Sequence, residues 1–171
     1  MISYQEALDA HHTIFRLFRM RVAVGSDFEL FVDHWRIVDF FMLFPFRLER
    51  MQLKTEHRSF RPVLRQLASN RPYETQPDDV VLLRRMEIVQ YAAANTLVHE
   101  GFLAVEQFER GQLSATDKKI PDAIMESVDK RNQADAELTK IIVALATDYV
   151  FGGADGIKKR SGLLEYRYDA A

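Results

Sequence analysis

FVDHWRIVDFFMLFPF, residues 31–46, decides how the chain folds. From Ile37 to Phe46 only Asp39 interrupts a run of apolar residues, so a helix here is apolar nearly all round and belongs in the middle of a core. Pro45 has no backbone N–H to give and should end or kink that helix. A second stretch, VVLLRRMEIVQYAAANTLVHEG at 80–101, repeats apolar residues at helical spacing: Leu82, Leu83, Met86, Val89, Ala93 and Leu97. It closes on Gly101, a C-cap signal. Two such helices predict the core of a small, mainly α domain.

Before the central stretch, Asp9 suits the N-cap of a helix whose face runs through His12, Phe15, Phe18 and Val22 and closes near Gly25. Ser3 and Glu6 also make a capping pattern that would start it a turn or two earlier. Ser26 or Asp27 then caps the central helix, whose first half is amphipathic through Phe28, Phe31, Val32 and Trp35. Beyond Pro45 the chain turns basic, and Leu48, Met51, Val63, Leu64 and Leu67 mark one buried face on two short helices with a polar joint at 55–59. NRPYETQPDD at 70–79 is a loop leading to the Asp78/Asp79 cap of the second main helix.

After Gly101, FLAVEQF, ERGQ and LSAT in succession predict a small hairpin near 102–116, with Gly111 supplying a positive φ. Helix, helix, helix, hairpin is the order of a winged helix-turn-helix. Pro121 and Asp122 open more helix, hinged around 130–132 and running to about Val150. The chain ends in GGADGIKKRSGLLEYRYDAA: a Gly-Gly hinge, a basic cluster and an alternating, strand-like LLEYRY. The expected organisation is one helical domain over 1–151, with a winged-helix-like core and one β-hairpin, and a Gly-hinged, strand-like C-terminal arm over 152–171.

A chain of 171 residues, 47% hydrophobic and 28% charged, is long enough for one soluble domain with a real core. It holds no uncharged apolar run of about 18 residues to span a bilayer. MISYQEALDAHH has no basic-then-apolar leader, which points to the cytoplasm. The absence of Cys agrees, and it removes disulfides, thiolate metal sites and a Cys nucleophile. A net charge of −2 argues against a surface built as a whole for nucleic acid, while leaving local basic patches open.

Few residues carry chemistry. His11, His12, His34, His57 and His99 form no H-x-x-x-H pair on one helical face, so no metal site and no cofactor is expected. Asp39 invites a catalytic role because burial perturbs a carboxylate, but a structural pairing with Arg36 or an arginine of a neighbouring segment explains it more simply. GGADGIKKRS lacks the spacing of a phosphate loop and follows a helix, so no nucleotide or other small-molecule substrate is expected. The testable local feature is the basic face of Arg47, Arg50, Lys54, Arg58, Arg61 and Arg65, candidate contacts to a DNA backbone. Glu106 and Glu109 in the expected wing oppose that contact.

Three blocks, HHTIFRLFR at 11–19, WRIVDFFMLFPF at 35–46 and GIKKRSGLLEYRYDAA at 156–171, resemble the middle components of bacterial ABC-three-component systems, of which Lamassu is the best-known kind. The family pattern is matched at His12, Phe15, Arg16 and Leu17; then at Arg36, Ile37, Asp39, Phe40, Met42, Leu43, Phe44 and Pro45; then at Arg160, Ser161, Gly162, Leu163, Glu165, Arg167, Tyr168 and Asp169. Val38 in place of Leu and Phe41 in place of Tyr are mild departures.

The resemblance implies a noncatalytic adaptor in antiviral or anti-plasmid defence. Such a subunit links an SMC-like ABC ATPase that senses DNA to an effector, often a nuclease, and touches DNA only indirectly or weakly. It also implies that Arg160, Leu163, Glu165, Arg167, Tyr168 and Asp169 bind a partner or dock on the domain. Without the resemblance, the residues suit a stand-alone winged-helix DNA-binding regulator using the basic face and the turn at Gly111. A small hydrolase built on Asp39 and a histidine is the remaining reading.

Overall fold

A computed structural model describes residues 6–73 and 76–165 of the chain. Helix α1 (Ala10–Val24) begins where Asp9 accepts a hydrogen bond from the His12 N–H at 3.1 Å and ends at Gly25, whose φ of +90° only glycine adopts readily. Ser3 lies outside the described residues. The central helix α2 (Val32–Leu43) stops just before Pro45, which opens a 3₁₀ stretch, Pro45–Arg50. A second 3₁₀ stretch, Thr55–Phe60, occupies the expected polar joint and runs into α3 (Arg61–Ser69), with Pro62 in its first turn. The long helix α4 (Asp79–His99) is capped by Asp78, which accepts from the Val81 N–H at 2.9 Å.

The core forms around α2. Trp35, Ile37, Val38, Phe40 and Phe41 are buried there, and the helix packs against α1, α4, α7 (Ala136–Thr147) and α8 (Ile157–Ser161). Helix α4 is one-sided: Leu83, Met86, Ala93, Ala94 and Leu97 face the core, while Ile88 and Tyr91 are exposed. Helix α6 (Asp122–Ala134) meets α7 at Asp135, a few residues beyond the expected hinge. The body is thus mainly helical with one small antiparallel sheet.

One strand of that sheet lies in the expected hairpin and the other does not. Residues 29–31 are strand β1 (Glu29–Phe31), not the first turn of the central helix, and they pair antiparallel with β2 (Gln112–Ser114), Leu30 opposite Leu113. Between Gly101 and β2, where FLAVEQF suggested a strand, the chain makes the five-residue helix α5 (Val105–Glu109). The 102–116 hairpin is reduced to a single bridge, Leu103 against Ala115. Gly111 does adopt the expected positive φ, +78°, and its carbonyl accepts from the Val32 N–H at 2.8 Å, joining the turn to the start of α2.

Residues 157–163, beyond the two glycines, pack on the helical body. Ile157 and Leu163 are buried in the same core as α2, and IKKRS is helical. Gly156 has no room for a side chain: a Cβ there would lie 2.4 Å from the Gly152 carbonyl oxygen. Of LLEYRY, residues 166–168 lie outside the described residues, and 163–165 form no strand.

Candidate functional site

The family-like polar residues of α1 and α2 meet inside the core. Asp39 is fully buried and held in bidentate fashion by Arg16, whose Nε donates to Oδ1 at 2.6 Å and whose second nitrogen donates to Oδ2 at 3.1 Å. The Gln90 amide of α4 donates to the same Oδ2 at 2.9 Å. Arg36 donates back to the Gln90 Oε1 at 3.1 Å and reaches outward to Asp33 and Glu87, each at 2.8 Å. Three helices are cross-linked by one polar chain, Arg16–Asp39–Gln90–Arg36. Every oxygen of Asp39 is occupied, so it is a structural carboxylate, paired by an arginine of the neighbouring segment instead of by Arg36.

A second cluster clasps α8. Arg160 donates to the Gln52 carbonyl at 3.0 Å and to the Asp155 carboxylate at 2.8 Å, while its own carbonyl accepts from the Gln52 N–H at 3.0 Å. Under it, the Lys54 N–H donates to the Tyr149 hydroxyl at 3.0 Å, and His57 bridges that hydroxyl and the Asp148 carboxylate, both at 3.1 Å. A Tyr–His–Asp chain resembles an activated nucleophile, but Tyr149 is 3% exposed and burial pushes its hydroxyl pKa up. That burial suppresses the phenolate. The cluster therefore fastens α8 to the loop at 51–54.

Of the residues expected to bind a partner, Arg160 makes this clasp, Leu163 is buried, and Glu165 lies 3.8 Å from Lys159 on the surface. Arg167, Tyr168 and Asp169 lie outside the described residues. The basic face is divided in the same way. Arg47 is not a surface cation: it is 5% exposed, ion-paired to Asp79, bonded to the Pro77 carbonyl, and lies over the Phe44 and Phe46 rings. Arg50 also reaches Asp79, at 3.3 Å. Lys54 donates to the Asp148 carbonyl and sits 5.0 Å above the Tyr149 ring. Arg58, Arg61 and Arg65 are exposed, and no ion pair holds them among the described residues.

Two buried bases show how tightly the body is sealed. His34, 3% exposed, bonds the Leu145 carbonyl through Nε2 at 2.9 Å, and burial lowers its pKa, the carbonyl only partly opposing this. Arg19 donates to Asn132 and Asp135 across the α6–α7 junction, with burial lowering its pKa despite Asp135 beside it. Among the described residues no three His, Asp or Glu side chains come together to hold a metal ion, and no helix is long and apolar enough to cross a membrane. Gln90, Asn132 and Tyr149 are the site residues that sequence reasoning missed. Nothing in their local pattern marks them, and each acts on a partner at least 51 residues away.

The family model of the ABC-three component (ABC-3C) system Middle Component 5 matches residues 2–169. The chain belongs to that family. As a middle component it is one part of an ABC-three-component system, whose name implies an ABC ATPase and an effector as the other parts. The matched region includes both the Arg16–Asp39 pair and the Arg160 clasp, so all three family-like blocks of the sequence contribute residues where this middle component is fastened together. No curated protein and no solved structure is significantly similar to the chain.

Proposed function

We propose that this middle component is a noncatalytic adaptor that holds an SMC-like ABC ATPase and an effector, commonly a nuclease, in one cytoplasmic defence complex of the Lamassu kind. The family match over 2–169 carries the reading. The geometry supports it: Asp39 and Tyr149, the polar groups that would otherwise suggest chemistry, are engaged in fastening helices and the loop at 51–54. In this reading the partner contact falls to the C-terminal residues past the clasp, Glu165 together with Arg167, Tyr168 and Asp169, since Arg160 and Leu163 already serve the domain.

Co-expression with the proteins of the neighbouring genes, followed by size exclusion with light scattering, tests the reading. Co-elution with the ATPase is expected, and deletion of residues 166–171 should abolish it while the melting temperature holds. A free homodimer that ignores both neighbours would overturn the adaptor and favour a DNA-binding regulator.

A further inference from the structure

The structure subtracts from the basic segment those charges that are already spent. Arg47 and Arg50 share Asp79, and Lys54 is tied to Asp148 and Tyr149. Arg58, Arg61 and Arg65 remain. Arg58 lies in the 3₁₀ stretch that runs directly into α3, Arg61 opens that helix, and Arg65 follows four residues on. At a rise of 1.5 Å per residue, Arg61 and Arg65 are about 6 Å apart along one helical face. Like charges at this spacing repel, so the cluster does not serve the fold. Arg71, Arg131 and Arg160 on the same molecule do have carboxylate partners, Glu49, Asp135 and Asp155.

The character of the surface separates two kinds of anionic partner. The exposed positions among and beside these arginines are Ser59, Pro62, Gln66 and Ser69, with one acid, Glu56, two residues before Arg58, and among the described residues the large exposed apolar side chains fall elsewhere, at Ile88 and Tyr91 of α4 for example. A protein interface is centred on buried apolar or aromatic anchors, with charge at its rim. A phosphate backbone asks for the opposite: planar guanidinium groups in a row on a polar surface. We infer that Arg58, Arg61 and Arg65 form a sequence-independent contact for the phosphate backbone of duplex DNA.

The contact goes beyond the adaptor reading, since a chain can bridge two proteins without touching DNA. The test is fluorescence anisotropy of the full chain with a labelled duplex of arbitrary sequence, titrated between about 50 and 200 mM salt. Three contacts predict a slope of log K against log salt of about −2.7, and R61Q/R65Q should reduce it toward about −0.9. R84Q/R85Q removes equal charge from α4 and should leave the slope unchanged, with melting curves confirming that both variants fold. An unchanged slope in R61Q/R65Q, an equal loss in both variants, or absent DNA binding overturns the inference. So does loss of co-elution with a partner subunit in R61Q/R65Q, which would assign the face to an acidic protein surface. Retained co-elution alongside lost DNA binding supports the inference and leaves the adaptor reading standing on its own test.

Discussion

At the scale of single residues, the buried pair of Arg16 and Asp39 shows what the central apolar stretch is for. A carboxylate in a helix this apolar is tolerated only because Arg16 and Gln90 fill its lone pairs. Removing one partner strands the other, so Asp39→Ala should cost about 3–5 kcal/mol in denaturant unfolding. Replacing both by apolar residues, R16M/D39L, should recover most of that loss, since buried ion pairs are often replaceable by well-packed hydrophobes. Equal loss in the single and double variants would show the polar chain to be required for the fold itself. His34 gives a pH dependence. Its folded pKa is depressed by burial, so the unfolded state binds the extra proton. The stability it contributes is complete above the unfolded value of about 6.5 and is lost as pH falls toward the lower folded one. Melting temperatures measured from pH 7 downward should fall in this window, and His34→Gln, which keeps a donor for the Leu145 carbonyl, should flatten that fall.

At the scale of elements, the helices and the strand at 112–114 were legible, and its partner strand was not. Asp9, Asp78, Gly25, Gly101 and Pro45 are local signals, and each marks the boundary it predicts, because caps and breakers act within a turn of themselves. Phe28, Phe31, Val32 and Trp35 fit a helical face, yet 29–31 became a strand because β2, more than eighty residues away, offers it a ladder. The same distance effect hid the fate of Arg47, whose counter-ion Asp79 lies 32 residues on. Gly152 and Gly153 suggested a hinge because composition cannot show that α8 packs back on the core. Gly156 tests that packing. Its φ of −72° suits any residue, so Gly156→Ala acts through the collision with the Gly152 and Phe151 carbonyls. It should destabilise by about 1–3 kcal/mol and expose the α8 amides to hydrogen exchange. Gly111→Ala, with open space but a φ of +78°, should cost about 1 kcal/mol and leave α8 protected.

At the scale of the whole molecule, the question is where the folded body ends. A domain closing near residue 151 would survive removal of everything after it, whereas the packing of Ile157 and Leu163 carries the body to at least Leu163. Each fully buried aliphatic side chain lost from a core costs about 2–5 kcal/mol, and a domain of this size has a total stability of about 5–15 kcal/mol. Truncation after Asp155 removes both residues and the Arg160 clasp, which joins α8 to the loop at 51–54. That protein should unfold or lose most of its thermal transition. Truncation after Glu165 keeps all of these contacts and should melt within a few degrees of the full chain. Calorimetry on the two truncations separates the cases: similar transitions in both would mean that α8 rests on the surface as an arm. The expected contrast makes only the shorter deletion a fair probe of partner binding, because the longer one would lose its partners by unfolding.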